Sequence, residues 1–223
     1  MDAIQAVLFD LDNTLVDRQA AFRRIAQRFY HAHPGLSQRY APEELCAQLV
    51  EWENDGDADR AWLFQRARDT WPEIQTSVPA MVNWYGRQMA TAVEPDQRVL
   101  GLLGGLTRAA KPWGIVTNGG PSQRAKIRAA GFDAITPFVV LSEELGHRKP
   151  DPRIYEEALG KLGGVPAAHT LFVGDKPEID IVGAQRVGMQ TAWVRRGKAY
   201  PAGLPRPDYE IDHVDELRPV LLP

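Results

Sequence analysis

Two carboxylates, Asp10 and Asp12, stand directly after the apolar run Ala6–Phe9, in the segment Asp10-Leu-Asp12-Asn-Thr14. Acidic groups at a strand end can attack an electrophile, move protons or hold a cation, and ligands in open α/β sheets bind beyond the carboxyl ends of the strands. Asp-x-Asp spacing alone says little, because Asp55, Asp57 and Asp59 repeat it. That second run imitates a calcium loop, but Arg60 occupies the place of the turn glycine and Arg66 that of the bidentate Glu. It reads as a solvated helix junction.

Three further strand ends carry polar groups. Thr117-Asn118-Gly119-Gly120 closes one apolar run and leads into a helix start at Pro121. A hydroxyl, an amide and two small residues there leave N–H groups for an anion, aided by the helix dipole, although a plain strand-to-helix turn has the same form. After another run comes His147-Arg-Lys149-Pro150, where Pro150 disfavours helix at Lys149 and lets its ammonium project from an extended segment. A fourth run ends in Gly174-Asp175, with Asp180 in the first turn of the next helix. These acids either cap that helix or turn back toward one point above the sheet. Carboxylates crowded together repel, so the joint pattern calls for a bound cation. Oxygen donors without His or Cys point to Mg²⁺ rather than zinc.

The elements that must position these groups are legible from periodicity. Ala3–Asp10, Pro112–Thr117, Phe138–Leu141, His169–Val173 and Gln190–Val194 are near-continuous apolar runs, the mark of strands covered on both faces. Helical stretches Ser122–Ala130, Pro152–Leu162 and Pro177–Val187 lie between them, with Pro152 and Pro177 where a first turn tolerates proline. Such alternation implies parallel βαβ units with right-handed crossovers. Between Arg18 and Val93 the rhythm breaks into amphipathic helices over Ala20–His31, Pro42–Trp52, Arg60–Trp71 and Pro79–Ala92, which hold four of the six tryptophans. The expected fold is α/β: a three-layer Rossmann-like parallel-sheet core from residues 1–16 and 94–223, with an inserted all-helical cap domain over 17–93. Tyr209–Ile211 would form a last strand before a short C-terminal helix.

Composition narrows the function classes. With 223 residues, 44% hydrophobic, 25% charged and a formal charge of −3, the chain is an ordinary globular one without the basic footprint that nucleic acid requires. The single cysteine, Cys46, cannot form an internal disulfide and suits a reducing compartment. The first apolar run is too short and too soon acidic for a secretory segment, and none approaches the roughly 20 residues that span a bilayer. A cytoplasmic protein with no membrane partner is expected.

In these motifs the sequence resembles the haloacid dehalogenase superfamily of phosphatases. The resemblance rests on Asp10-Leu-Asp12-Asn-Thr14, Thr117-Asn118-Gly119, Lys149-Pro150, and Gly174-Asp175 with Asp180, in that order along nearly the whole chain. The helical insert is similar to the superfamily's α-helical cap. The resemblance implies that Asp10 is the nucleophile, forming an aspartyl-phosphate. Asp175 would ligate Mg²⁺ directly with Asp10 and the Asp12 backbone carbonyl, and Asp180 would act through water. The Asp12 side chain would protonate the leaving oxygen and then activate water. Thr117, the Asn118 N–H and Lys149 would hold phosphoryl oxygens, with Lys149 also orienting Asp10. Superfamily members that dehalogenate lack an acid at the Asp12 position, so its presence favours phosphate esters. Ile179 departs from the pattern, since many relatives carry Asn just before the final Asp.

The implied protein is a Mg²⁺-dependent phosphatase for a small phosphorylated metabolite, close to nucleotidase-like and phosphoglycolate-phosphatase-like members. A phosphomutase with the same acids and a non-catalytic regulatory or binding protein are the alternatives. Elsewhere the bland readings are preferred. Asp17 and Arg18 are expected to be hinge and surface residues, the cap tryptophans core rather than stacking groups, and Cys46 a buried small hydrophobe. His31 and His33, two apart, do not share a helix face as a metal pair would. Arg195, Arg196 and Lys198 read as a solvated loop.

Overall fold

The computed structural model describes residues 3–222, which form two compact units, Arg18–Glu94 and the remainder of the chain. Strand β1 (Ala6–Phe9) leads into helices α1 (Arg18–Ala32), α2 (Pro42–Glu53), α3 (Arg60–Thr70) and α4 (Val78–Ala92). Then come α5 (Gln97–Arg108), β2 (Trp113–Thr117), α6 (Pro121–Ala129), β3 (Val139–Leu141), α7 (Ser142–Leu145) and α8 (Pro152–Gly160). The chain closes with β4 (Thr170–Gly174), a π-helical turn at Pro177–Ile181, α9 (Val182–Arg186), β5 (Gln190–Val194), β6 (Tyr209–Ile211) and α10 (Arg218–Leu221).

All six strands pair in parallel in the order β3-β2-β1-β4-β5-β6, the Rossmann-like sheet read from the apolar runs. Every residue of β1, β2, β4 and β5 is buried, as a sheet covered on both faces demands. Successive side chains point to opposite faces. Ala6 and Leu8 of β1 join Ile154, Tyr155 and Ala158 of α8 and Ala184 of α9 in one apolar layer. Phe9 meets the Trp113 ring edge-on at 6.3 Å on the other face, where Trp113 Nε1 donates to Thr107 Oγ1 of α5 at 3.2 Å.

Strand order fixes where a site can form. From β1 the chain steps outward to β2 and β3, then returns to lay β4 on the opposite flank of β1. The carboxyl ends of β1 and β4 therefore diverge at a topological switch point, the usual crevice for ligands in such sheets. Directly after β1 the backbone folds into a tight turn, in which Leu15 N and Val16 N both donate to Leu11 O at 3.0 Å. Asn13 adopts a left-handed φ of 62° there, a conformation Asn tolerates better than most residues.

The helical unit has its own aromatic core. Phe29 stacks on Phe64 at 5.7 Å and meets Trp84 at 5.8 Å, and Trp52 lies 5.1 Å from Trp71. Trp62 is the exception, at 47% exposure. Asp59 caps α3 by accepting from Trp62 N at 2.9 Å, so the Asp55–Asp59 run is the helix junction its composition implies.

Two expectations need correction. Arg18 is buried rather than a surface residue, because its guanidinium pairs with the buried Glu53, which also takes Arg60 at 3.1 Å. Cys46 on α2 is only half-buried, and partial burial, with the Glu43 charge adding to it, raises its thiol pKa. Among the described residues no helix is long and apolar enough to cross a membrane.

Candidate active site

Asp10 follows β1 and is buried, with the Lys149 ammonium donating to its Oδ1 at 2.6 Å. The same ammonium donates to Asp180 Oδ1 at 2.7 Å. Lys149 reaches both although it comes from the segment between α7 and α8, and it is 2% exposed. Asn118, at the end of β2, fixes this segment. Its Oδ1 accepts from Lys149 N at 2.8 Å and its Nδ2 donates to Lys149 O at 3.0 Å. The side chain expected only to frame an anion site thus braces the backbone of the lysine.

Asp175 and Asp180 come from the end of β4 and the turn behind it. Carboxylate oxygens of Asp10, Asp175 and Asp180 all lie within 4.8 Å of one another. The uniform helix expected from Pro177 is interrupted here by the π-turn, in which Asp180 N donates to Lys176 O at 2.7 Å while Asp180 Oδ2 accepts from Lys176 N at 3.0 Å. The carboxylate is folded back over the strand end. Gly174 makes room for it, since a Cβ there would stand 2.3 Å from Asp180 Cβ. Trp193 Nε1 of β5 donates to Asp175 O at 2.9 Å, and the Tyr155 hydroxyl of α8 donates to the carbonyl of Ile179. The backbone carbonyl of Ile179 thus anchors this turn to α8.

The electrostatics follow from burial. Burial pushes the Asp10 carboxyl up to about 7; Lys149 opposes the shift, and Asp180 and Asp12 add to it. Burial also works against the Lys149 ammonium, but Asp10 and Asp180 outweigh it and hold its pKa above the ordinary lysine value. Tyr155 is likewise raised, first by burial and then by Asp180. Three carboxylates crowd together here, two of them meeting the Lys149 ammonium. A divalent cation with a preference for oxygen ligands fits that crowding and that donor set.

Asp12 does not join this group. Its two carboxylate oxygens accept from Lys126 Nζ of α6 at 2.7 and 2.6 Å, and Oδ2 also accepts from Gln123 Nε2 at 3.0 Å. Gln123 Nε2 donates as well to Thr117 Oγ1 at 2.7 Å, so Thr117 and Asp12 are tied by one amide. Gly119 N donates to Ser142 Oγ at 2.9 Å, which shapes the turn after β2. Gln123, Lys126, Ser142, Tyr155 and Trp193 were not singled out from the sequence. The one available signal was that Gln123 and Lys126 lie three apart, on one face of a helix that starts at a polar strand end.

The haloacid dehalogenase-like hydrolase family profile matches residues 7–194. Glyceraldehyde 3-phosphate phosphatase of Methanopyrus kandleri is 33% identical over 98% of this chain and 97% of its own. The magnesium-bound hydrolase YfnB of Bacillus subtilis shares the fold with a TM-score of 0.76 at 24% identity over the whole of both chains. A 2-haloacid dehalogenase of Pseudomonas syringae superposes with a TM-score of 0.63 at 29% identity over 98% of each chain.

Proposed function

Because this chain belongs to the haloacid dehalogenase-like hydrolase family, we propose that it is a phosphatase that hydrolyses the phosphate monoester of a small metabolite through an aspartyl-phosphate on Asp10. The observation that carries this reading is the convergence of Asp10, Lys149, Asp175 and Asp180 on one point at the carboxyl end of the sheet. Asp10, Asp175 and Asp180, with the Asp12 backbone carbonyl, would hold Mg²⁺. When bound, the cation cancels the repulsion between nucleophile and phosphate and stabilises charge on the equatorial oxygens.

The remaining chemistry belongs to the side chains. An Asp10 carboxylate oxygen attacks phosphorus, and the bond from phosphorus to the ester oxygen breaks. Asp12 gives that oxygen its proton, then takes one from the water that cleaves the acyl-phosphate and restores Asp10. Lys149, Thr117 and the Asn118 N–H hold the phosphoryl oxygens as their charge develops. Asp12 separates this reading from dehalogenation, because a halide departs without a proton and an alkoxide does not. The lone cysteine suits a reducing compartment, so we place the enzyme in the cytoplasm.

Metal and pH are linked through Asp10. An aspartate in the unfolded chain ionises near 3.8, whereas the folded group keeps its proton to about 7. The folded state therefore binds the extra proton between those values, and through Asp10 its stability declines as pH rises across that window. Mg²⁺ held at Asp10 would take the place of that proton. The rise in melting temperature on adding Mg²⁺ is expected to be larger at pH 8 than at pH 5, measured by scanning calorimetry. An equal rise at both would remove Asp10 from the metal site.

A panel of phosphorylated metabolites and p-nitrophenyl phosphate, assayed for free phosphate with Mg²⁺ and with EDTA, tests the function. Metal-dependent release from p-nitrophenyl phosphate and from at least one small ester is expected. Release indifferent to EDTA, or none from any ester, would refute it. Phosphoryl return to a second hydroxyl with little free phosphate would mark a phosphomutase.

A further inference from the structure

Lys126 and Gln123 are charged or polar, yet they are only 6% and 3% exposed. Lysine is almost never this buried without a partner that compensates for its lost hydration. Here the partner is Asp12, met on both oxygens by Lys126 and on one by Gln123. An aspartate side chain turns about two bonds, and a contact to each oxygen fixes both rotations. Gln123 adds a tether to the sheet, since its amide also reaches Thr117 Oγ1 at 2.7 Å and Asn118 O at 3.3 Å. Their place on one face of α6, whose first residue follows the end of β2 by four positions, is what makes the reach possible.

We infer that Lys126 and Gln123 are positioning residues that hold the Asp12 carboxylate in line with the leaving oxygen, and so determine how well the enzyme cleaves esters with poor leaving groups. The inference rests on the proton-transfer role of Asp12 proposed above. It concerns geometry: general acid catalysis contributes about 10²- to 10⁴-fold, and a carboxylate displaced by about 1 Å forfeits much of that. The loss falls on alkyl esters, whose alkoxide needs a proton. It falls far less on p-nitrophenyl phosphate, whose phenolate leaves without one.

The test is kcat/KM, which reports steps through cleavage of the ester bond, for p-nitrophenyl phosphate and for the best alkyl phosphate of the panel. Lys126→Met is expected to lower the alkyl-to-nitrophenyl ratio by about 10- to 100-fold. Lys126→Arg should recover most of it, and Gln123→Met should lower it by a smaller factor. If Lys126→Met does not fold, the Gln123→Met ratio decides. A ratio unchanged in Lys126→Met or, where that variant does not fold, in Gln123→Met, or equal losses on both esters, would overturn the inference and leave Lys126 a structural ion pair. Asp12→Asn run alongside separates the two levels. If it lowers the ratio and Lys126→Met does not, only the positioning role falls; if Asp12→Asn leaves the ratio intact, the acid role of Asp12 falls and the positioning role with it.

Discussion

Asp10→Asn is expected to lower phosphate release by at least about 10⁴-fold, the scale of losses when a nucleophile is removed. The amide matches the carboxylate in size, so the buried packing around β1 persists, but its nitrogen carries no lone pair able to attack phosphorus. It also withdraws one of the three clustered carboxylates and one of the two that Lys149 meets. Burial already disfavours the charged form of this residue. A neutral replacement should therefore leave the melting temperature of the metal-free protein at pH 8 within a few degrees of the parent. Release and melting measured on one preparation separate lost chemistry from lost fold. Activity within tenfold of the parent would place the nucleophile elsewhere.

Lys149→Met is expected to cost at least about a thousandfold in kcat/KM, slightly more than one well-placed donor to a developing anion usually contributes. Its ammonium donates to both Asp10 and Asp180 and is nearly inaccessible to water. Breaking a buried pair by removing one partner typically destabilises by about 3–5 kcal/mol. Here the acids can relieve part of that cost by binding protons, so Asp10 would ionise at still higher pH. The acid limb of the pH–rate profile should therefore move upward while the residual rate falls. Arginine is not expected to rescue, because its planar fork is bulkier than the site of a residue 2% exposed. A Lys149→Met enzyme retaining a tenth of the activity with an unmoved acid limb would contradict this role.

The sheet was legible because its strands are buried on both faces and so lack polar interruption. Asp10, Thr117, Asn118 and Asp175 could be singled out because each sits where such a run stops, and Asp180 because it falls in the first turn of the helical stretch that follows. Lys149 was harder. Its segment is held by a hydrogen-bonded exchange with Asn118, a contact between residues 31 apart that no local pattern encodes. Gln123 and Lys126 escaped because helical lysines and glutamines normally face solvent, and only strand order reveals that α6 presents them to Asp12. Arg18 was misread as a surface group for the same reason, since its partner Glu53 lies on a different helix. The π-turn at Pro177–Ile181 carries the apolar spacing of an ordinary helix, and what distinguishes it is the tertiary demand to fold Asp180 back toward Lys149.

Everything chemical depends on Asp10, the phosphoryl acceptor, sharing one cation with Asp175 and Asp180 from far along the chain. A crystal structure of the unaltered protein grown with Mg²⁺ and beryllium fluoride, a mimic of a transferred phosphoryl group, tests that most directly. The expected result is beryllium bonded to an Asp10 carboxylate oxygen, Lys149 against a fluoride, and one Mg²⁺ touching Asp10 and Asp175. Beryllium fluoride bound away from Asp10, or Mg²⁺ held by other residues with this acidic cluster vacant, would contradict it.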